Sequence, residues 1–425
     1  MNITLNRPLC KGEVKAPTSK SAAHRALIAA AFADAPTRLL VSGAGEDIAA
    51  TVRCLNAMGA KIEEAPAAGG DSWLTVTPIT ALPKYAVADC GESGSTLRFL
   101  VPIAAALGID TCFIRHGRLP QRPMSPLTEL LAEVGVTLTD HPDGSLSVTG
   151  KLPAGNYSIP ANVSSQFITG LLFALSLLDD PSTLTLTGEI ESAPYIDMTV
   201  RALACFGAAP KRSEDGRTYT VAGKNETPLL SPDTLFPEGD FSGAAFPLAA
   251  GAVGMHPVTV SGISLDSPQG DRAIIDLLER FGAQVVRDAE GGSVTVSPAP
   301  LHGIDIDAKQ IPDLVPILAV VAAKATGITR ISGAARLRIK ESDRIATTAA
   351  LLRALGGSVE ETDDGLVIKG GTPLSGGTVD GAGDHRIVMS GAVASLFAGG
   401  TVTVTGIEAV AKSYPNFLRD VICPD

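Results

Sequence analysis

The sequence predicts an α/β protein of two similar domains, each assembled from three copies of one unit. Three observations carry that prediction. Runs of about a dozen small and apolar residues begin near Ser21, Ser95, Gln166, Ser242, Asp313 and His385, roughly 71 to 76 residues apart, which is the period of a supersecondary repeat. Amphipathic helical patterns close on Gly59, Gly135, Gly207, Gly282 and Gly356, each suited to a helix end that turns left-handed. After each glycine come two strand-like runs around a tight turn, at Gly69-Gly70-Asp71, Asp143-Gly144, Asp215-Gly216, Gly291-Gly292 and Asp364-Gly365.

Taken in order, residues 2–14 read as a short strand and turn ahead of the first repeat. The stretch PTSKSAAHRALIAAAF, 17–32, then opens that repeat with a polar lead-in to an apolar helix. Each unit runs apolar helix, strand, amphipathic helix, hairpin. Three units fill 15–234, and the segment TPLLSPDTLFPEGD, with Pro228, Pro232 and Pro237, reads as a linker. Three more fill 235–425, the last truncated after its apolar helix. The N-terminal strand, 1–14, is expected to complete that truncated unit, so the chain crosses between domains twice and the crossings form a hinge.

The apolar helices are hydrophobic nearly all round, which implies burial between other layers, and they are too short to span a bilayer. The N-terminus lacks a targeting pattern. Six cysteines show no metal-ligand spacing and read as reduced, mostly buried thiols of a cytoplasmic protein. A net charge of −11 with only 4% aromatic residues speaks against nucleic-acid binding. Any anionic ligand must therefore be held by local cations.

Those cations sit at the helix starts. Lys20 and Arg25 flank the first, Arg98 follows Gly94-Ser95-Thr96, Ser164-Ser165-Gln166 opens the third, Asp313 the fifth and Asp384-His385-Arg386 the sixth. Helix N-termini facing one way favour a phosphate or carboxylate by about 0.3–1 kcal/mol each. Ser19, Ser164 and Ser242 equally suit plain helix caps. Arg122 lies in a loop stiffened by Pro120, Pro123 and Pro126, and RLRIKESDR, 336–344, is read as placing Lys340 and Arg344 on one helical face beside Glu341. No P-loop, dinucleotide fingerprint, nucleophile elbow or zinc-protease motif is present, so no metal and no cofactor is expected.

The motifs PTSKSAAHR, GESGSTLR, Arg122-Pro123, SSQF, SAPYID, EGDFSGA, IPD, KESDR, DHR and AKSYP, in this order, resemble the 5-enolpyruvylshikimate-3-phosphate synthase family. The resemblance implies two domains of three βαβαββ units around buried parallel helices, an inside-out α/β barrel. It implies transfer of the enolpyruvyl group from phosphoenolpyruvate to the 5-hydroxyl of shikimate 3-phosphate, with release of phosphate. The reaction is addition–elimination through a tetrahedral intermediate, a step of chorismate and aromatic amino acid biosynthesis, performed by a cytoplasmic monomer.

By the same resemblance, Lys20, Ser21, Arg25, Ser164, Ser165, Gln166, Ser192, Asp313 and Lys340 form the shikimate 3-phosphate site, with Tyr195 nearby. Lys20, Gly94, Arg122, Gln166, Arg344, Arg386 and Lys412 clamp phosphoenolpyruvate. Asp313 is the candidate base for the 5-hydroxyl, with helix capping as its plainer role, and Glu341 or Lys20 the donor of the proton to C3. The chain departs from the family pattern at Glu92-Ser93, at Phe99 where a proline is frequent, and at Arg336 where an asparagine is common, so glyphosate sensitivity does not carry over.

The nearest rival activity is that of a UDP-N-acetylglucosamine enolpyruvyl transferase, whose hallmark cysteine would stand near Gly117, while Cys112 reads as a core thiol. The same repeat would also suit a non-catalytic or RNA-end-processing protein. Substrates are expected to close the hinge and exclude water from the intermediate. Small-angle scattering with both substrates should then show compaction.

Overall fold

Five of the six repeats fold as a four-stranded sheet with one strand order, and the last as a three-stranded sheet. In the second, Tyr85–Asp89 lies parallel to Asp110–Ile114, which pairs antiparallel with Leu146–Thr149, itself hairpinned to Thr137–Asp140. The parallel step needs a crossover, and the Gly94–Leu107 helix supplies it. The third repeat, led by Asn156–Pro160, and the fifth, led by Asp305–Asp307, repeat this order. The computed structural model describes residues 1–423, with the Cys423 side chain outside the described part.

The chain groups into two compact units, Met1–Ser19 with Glu238–Asp425, and Lys20–Pro237, each with its own hydrophobic core. These divisions fall a few residues beyond those read from the sequence, at 14/15 and 234/235, because each crossing leaves a strand behind. Glu13–Lys15 leads the sheet of Val258–Ser261, and Thr234–Leu235 leads that of Thr37–Val41. Thr18 bridges to Gly239 within the first unit, while Phe236 packs edge-on against Trp73 at 5.9 Å within the second. The expected completion is also present: Asn2–Leu5 pairs antiparallel with Val402–Thr405, beside Gly377–Val379.

The proline-rich stretch before the second crossing is not a loose linker. Leu229 is buried and its carbonyl accepts from Asp34 N–H, and Ser231 meets Thr37 at 2.8 Å, so the segment is a packed strap feeding its strand into the sheet.

The apolar runs are the innermost helices: Lys20–Ala31, Gly94–Leu107, Ser165–Ser176, Phe241–Val253, Val315–Lys324 and His385–Ala394. Their all-round hydrophobicity follows from that burial. The amphipathic helices end at glycines whose φ is positive, from 76° at Gly356 to 110° at Gly59. At the last hairpin the turn is Asp363-Asp364, and Gly365 already belongs to the strand. A glycine is needed there because a Cβ would lie 1.8 Å from the Ile331 carbonyl oxygen.

Cys54 and Cys90 are buried with sulfurs 3.8 Å apart, and Cys10 is buried too. Cys112, read as a core thiol, is half-buried because it points to the sheet face opposite Thr111 and Phe113, and Cys205 is exposed. Among the described residues no helix is long and apolar enough to cross a membrane.

Gly170 marks the tightest helix contact of the second unit: a Cβ would meet the Arg98 carbonyl oxygen at 2.4 Å and Pro102 Cγ at 2.8 Å. Gly170→Ala must push two backbones apart, and the expected loss is about 1–3 kcal/mol, read from the urea midpoint.

Candidate active site

In the unit spanning Lys20–Pro237, first turns of five helices are tied together. Lys20 Nζ pairs with Asp47 Oδ2 at 2.8 Å, and Asp47 lies in the first turn of Glu46–Ala57. Thr96 Oγ1 lies 3.4 Å from the Asp47 carbonyl oxygen and 2.7 Å from Thr51 Oγ1 of the same helix. Gln166 donates from Nε2 to Ser95 Oγ at 2.9 Å and accepts at Oε1 from Arg98 Nη1 at 2.7 Å. Arg25 Nη2 donates to the Tyr195 carbonyl at 2.8 Å, in the first turn of Ala193–Cys205. The helix starts are thus gathered at one place, and their partial positive charges add.

Arg25 is only 1% exposed, and it also donates to the Ser21 carbonyl, Thr169 and Thr199. Burial lowers its guanidinium to about 10, so it remains charged at neutral pH. Its bonds hold Ser21 and Tyr195 in place. Ser192, just before, adopts φ 54°, a left-handed conformation uncommon for a non-glycine residue. Such backbone outliers concentrate at functional sites. Ser164 caps its helix by accepting from the Gln166 N–H at 3.3 Å, and Ser165 is buried behind it.

The Arg122 guanidinium lies directly over Gly94: a Cβ there would stand 2.6 Å from Nη1 and 2.9 Å from Cζ. The glycine is required so that a cation can approach the helix start, and the proline-stiffened loop delivers it. Glu92 lies over Gly117, where φ is 54° and a Cβ would meet Oε1 at 2.3 Å. A cysteine at that position would be strained by the positive φ and would have to displace the Glu92 side chain.

The other unit uses ion pairs where this one uses hydroxyls. Arg344 is 2% exposed and donates to Asp384 Oδ2, Asp313 Oδ1 and Glu341 Oε2, each at 2.7 Å. Arg386 Nη2 reaches Asp313 Oδ2 at 3.1 Å. Burial by itself would raise the Asp313 carboxyl, but Arg386, Lys340 and Arg344 overcome it and hold the group well below the ordinary carboxylate range. Arg344, which burial would lower, is pushed above the usual range by Asp384, Glu341 and Asp313. Asp313 does not stand at a cap position: Ile311 precedes the single turn Pro312–Leu314 and Leu314 precedes the Val315–Lys324 helix. The capping work is done by Asp240, Asp343 and Asp384.

Two readings from spacing need correction. Lys340 and Arg344 do not share a helical face: Lys340 is extended, and the helix begins only at Arg344 because Asp343 caps it, accepting from Ala346 N–H at 3.1 Å. Ser242 is not a cap but donates to Asp271 Oδ2. Lys412 is buried on a separate segment, at the end of Ile407–Lys412.

Asp47 and Asp271 escape sequence reasoning. Asp47 looks like any acid favoured in a first turn. Asp271 lies in the turn Gly270–Ala273, 1% exposed, with Oδ1 unsatisfied. Burial and Asp313 push it up to about 7, with Asp240 adding to the rise. Arg336, at a departure from the expected pattern, donates to the Lys309 carbonyl at 2.7 Å. Phe99, at another, packs under Arg25 at 5.2 Å from its ring centre.

A family described as EPSP synthase (3-phosphoshikimate 1-carboxyvinyltransferase) matches residues 7–421. Relatives named 3-phosphoshikimate 1-carboxyvinyltransferase include one from Methanocorpusculum labreanum, 40% identical over 99% of this chain and 98% of its own. One from Clostridium acetobutylicum is 39% identical over 99% and 97%. A solved EPSP synthase from Acinetobacter baumannii superimposes with a TM-score of 0.80 at 27% identity, covering 100% of this chain and 99% of that one.

The raised Asp271 carboxyl gives a signed pH dependence. The folded state holds its proton up to about pH 7, the unfolded state only to about 3.8, so its contribution to stability is complete below 3.8 and lost as pH rises through 7. Asp271→Asn should therefore gain melting temperature relative to the natural protein at pH 8 compared with pH 5, measured by calorimetry at both.

Proposed function

This chain belongs to the EPSP synthase family, whose members carry out enolpyruvyl transfer in aromatic biosynthesis, and we propose how its own residues perform that reaction. The proposed substrates are phosphoenolpyruvate and shikimate 3-phosphate. The observation that carries the reading is the Arg344 cluster, in which the candidate base, Asp313, is held in place by two arginines that an anionic substrate also recruits.

In the free protein Asp313 is a weak base, because its charge is compensated. An anionic group of phosphoenolpyruvate arriving at Arg344 and Arg386 shares their charge, and Asp313 then moves back toward the ordinary carboxylate range. It takes the proton of the 5-hydroxyl as that oxygen bonds to C2 of phosphoenolpyruvate. C3 gains a proton from Glu341 or Lys20. The tetrahedral intermediate then loses phosphate from C2 and a proton from its C3 methyl group, the proton returning to the residue that donated it, which leaves the enolpyruvyl ether. Lys340 beside Asp313 supports the bound shikimate 3-phosphate, and Lys412 adds positive charge for phosphoenolpyruvate.

In the other unit, Gly94 and Arg122 present a helix start and a guanidinium to one anion, with Lys20 and Gln166 placed by Asp47, Arg98 and Ser95. Ser21, Ser164, Ser165 and Ser192 supply hydroxyls suited to a phosphorylated polyol, and Arg25 contributes charge while holding their backbone. Gly117 stands where the sugar-nucleotide reaction has its hallmark cysteine, and its φ of 54° disfavours a side chain there, which speaks against that activity. The protein is proposed to act as a cytoplasmic monomer, which light scattering on the purified chain tests.

Phosphate release from phosphoenolpyruvate, with shikimate 3-phosphate and UDP-N-acetylglucosamine offered in parallel, should occur with the first acceptor alone. Release with the second alone would move the protein to the sister activity. Asp313→Ala should lower kcat by about a hundredfold or more if the carboxylate is the base, and near-normal turnover would remove it from the mechanism.

A further inference from the structure

We propose that His24 is a positioning residue for the Gly94 anion site: a neutral imidazole carrying its hydrogen on Nδ1, it heads a one-way chain of buried hydroxyls that ends on Ser93. The inference rests on the reading above that Gly94 and Arg122 hold phosphoenolpyruvate.

The chain is short and closed to water. His24 Nδ1 lies 2.7 Å from Thr51 Oγ1, Thr51 Oγ1 lies 2.7 Å from Thr96 Oγ1, and Thr96 Oγ1 lies 2.8 Å from Ser93 Oγ. All four residues have no exposed surface. They join the Lys20–Ala31, Glu46–Ala57 and Gly94–Leu107 helices.

The direction follows by elimination. Ser93 Oγ is the cap of the Gly94 helix and accepts from the Thr96 N–H at 3.3 Å. The single hydroxyl hydrogen of Thr96 goes to Ser93 at 2.8 Å in preference to the Asp47 carbonyl at 3.4 Å. Thr96 oxygen is then left to accept, so Thr51 donates to it. Thr51 oxygen must in turn accept from His24, which requires the hydrogen on Nδ1.

The other ring nitrogen agrees. His24 Nε2 is buried without a hydrogen-bond partner, and a bare lone pair there is the less costly state than a stranded N–H. The ring meets Phe99 edge-on, with centroids 6.2 Å apart. Burial, opposed by Asp47 and aided by Lys20 and Arg25, lowers its pKa to about 3, so the ring stays neutral at working pH.

The consequence is geometric. A Cβ's width separates Gly94 from the Arg122 guanidinium, so a small shift of that first turn alters the anion site. Thr51 is also one turn along the helix from Asp47, the partner of Lys20. Cooperative hydroxyl chains in a dry interior hold such a register tightly.

Histidine-labelled nitrogen NMR on the unliganded full chain tests the tautomer directly, with the His24 signal assigned by its loss in His24→Asn. A protonated Nδ1 and bare Nε2, unchanged from pH 5.5 to 8, is expected, and the reverse pattern overturns the proposal. In turnover assays, His24→Leu and Thr51→Val should each raise KM for phosphoenolpyruvate about five- to tenfold, with KM for shikimate 3-phosphate within about twofold. His24→Asn, whose amide nitrogen stands where Nδ1 stood, should recover most of that loss. Equal rises in both KM values, or no recovery in an Asn variant that melts with the Leu variant, overturn it. If the natural protein turns over neither substrate, the functional reading fails instead, while the NMR result still decides the tautomer.

Discussion

Arg344 is the interaction on which the first unit's site depends. A guanidinium taken out of water is tolerable only when its donors are filled by well-placed acceptors, and here three carboxylates from three segments fill them. Removing one partner of such a buried pair typically costs about 3–5 kcal/mol. The cluster therefore fixes, in one stroke, the start of its own helix, the Asp384 cap of the His385–Ala394 helix, and the orientation of Asp313. It also sets the resting charge state. Asp313 cannot be both fully compensated and strongly basic, and that tension makes its basicity a property of what else occupies the arginines.

The Lys20–Pro237 unit reaches a comparable result with less charge. Lys20–Asp47 is an ion pair among the central first turns named above, and hydroxyls, amides and backbone carbonyls supply further ties. Hydroxyls donate and accept at once, so they link helices without leaving net charge in the core. Net positive potential is consequently carried by helix starts and by Arg122 and Arg25, which suits anion binding in a chain whose overall charge is −11.

The repeat explains why the functional groups collect at helix starts at all. Each unit delivers a buried apolar helix after a leading strand, so every copy presents a polar N-terminal turn at the same level of the fold. The exchanged leading strands, Glu13–Lys15 and Thr234–Leu235, fall at the chain crossings, and the truncated last copy takes Asn2–Leu5 as its third strand. Glycine at 59, 135, 207, 282 and 356 closes the amphipathic helix of five copies in the left-handed conformation that a side chain resists.

Much of this was legible beforehand because it is local. Helix period, strand alternation and left-handed glycine are properties of a few consecutive residues, so the six repeats, the hairpins and the basic helix starts could be read from spacing. Pairings were not, since nothing in the sequence distance between Arg25 and Thr199, or between Arg344 and Asp384, says that they meet. Lys340 and Arg344 show the limit from the other side: four residues apart they imply one helical face, but the Asp343 cap starts the helix after Lys340. The sequence by itself determined the repeat, the family resemblance and the types of residue at the helix starts. Only the tertiary structure decided which charges are already spent on each other, because that depends on distances across the core that local periodicity does not encode.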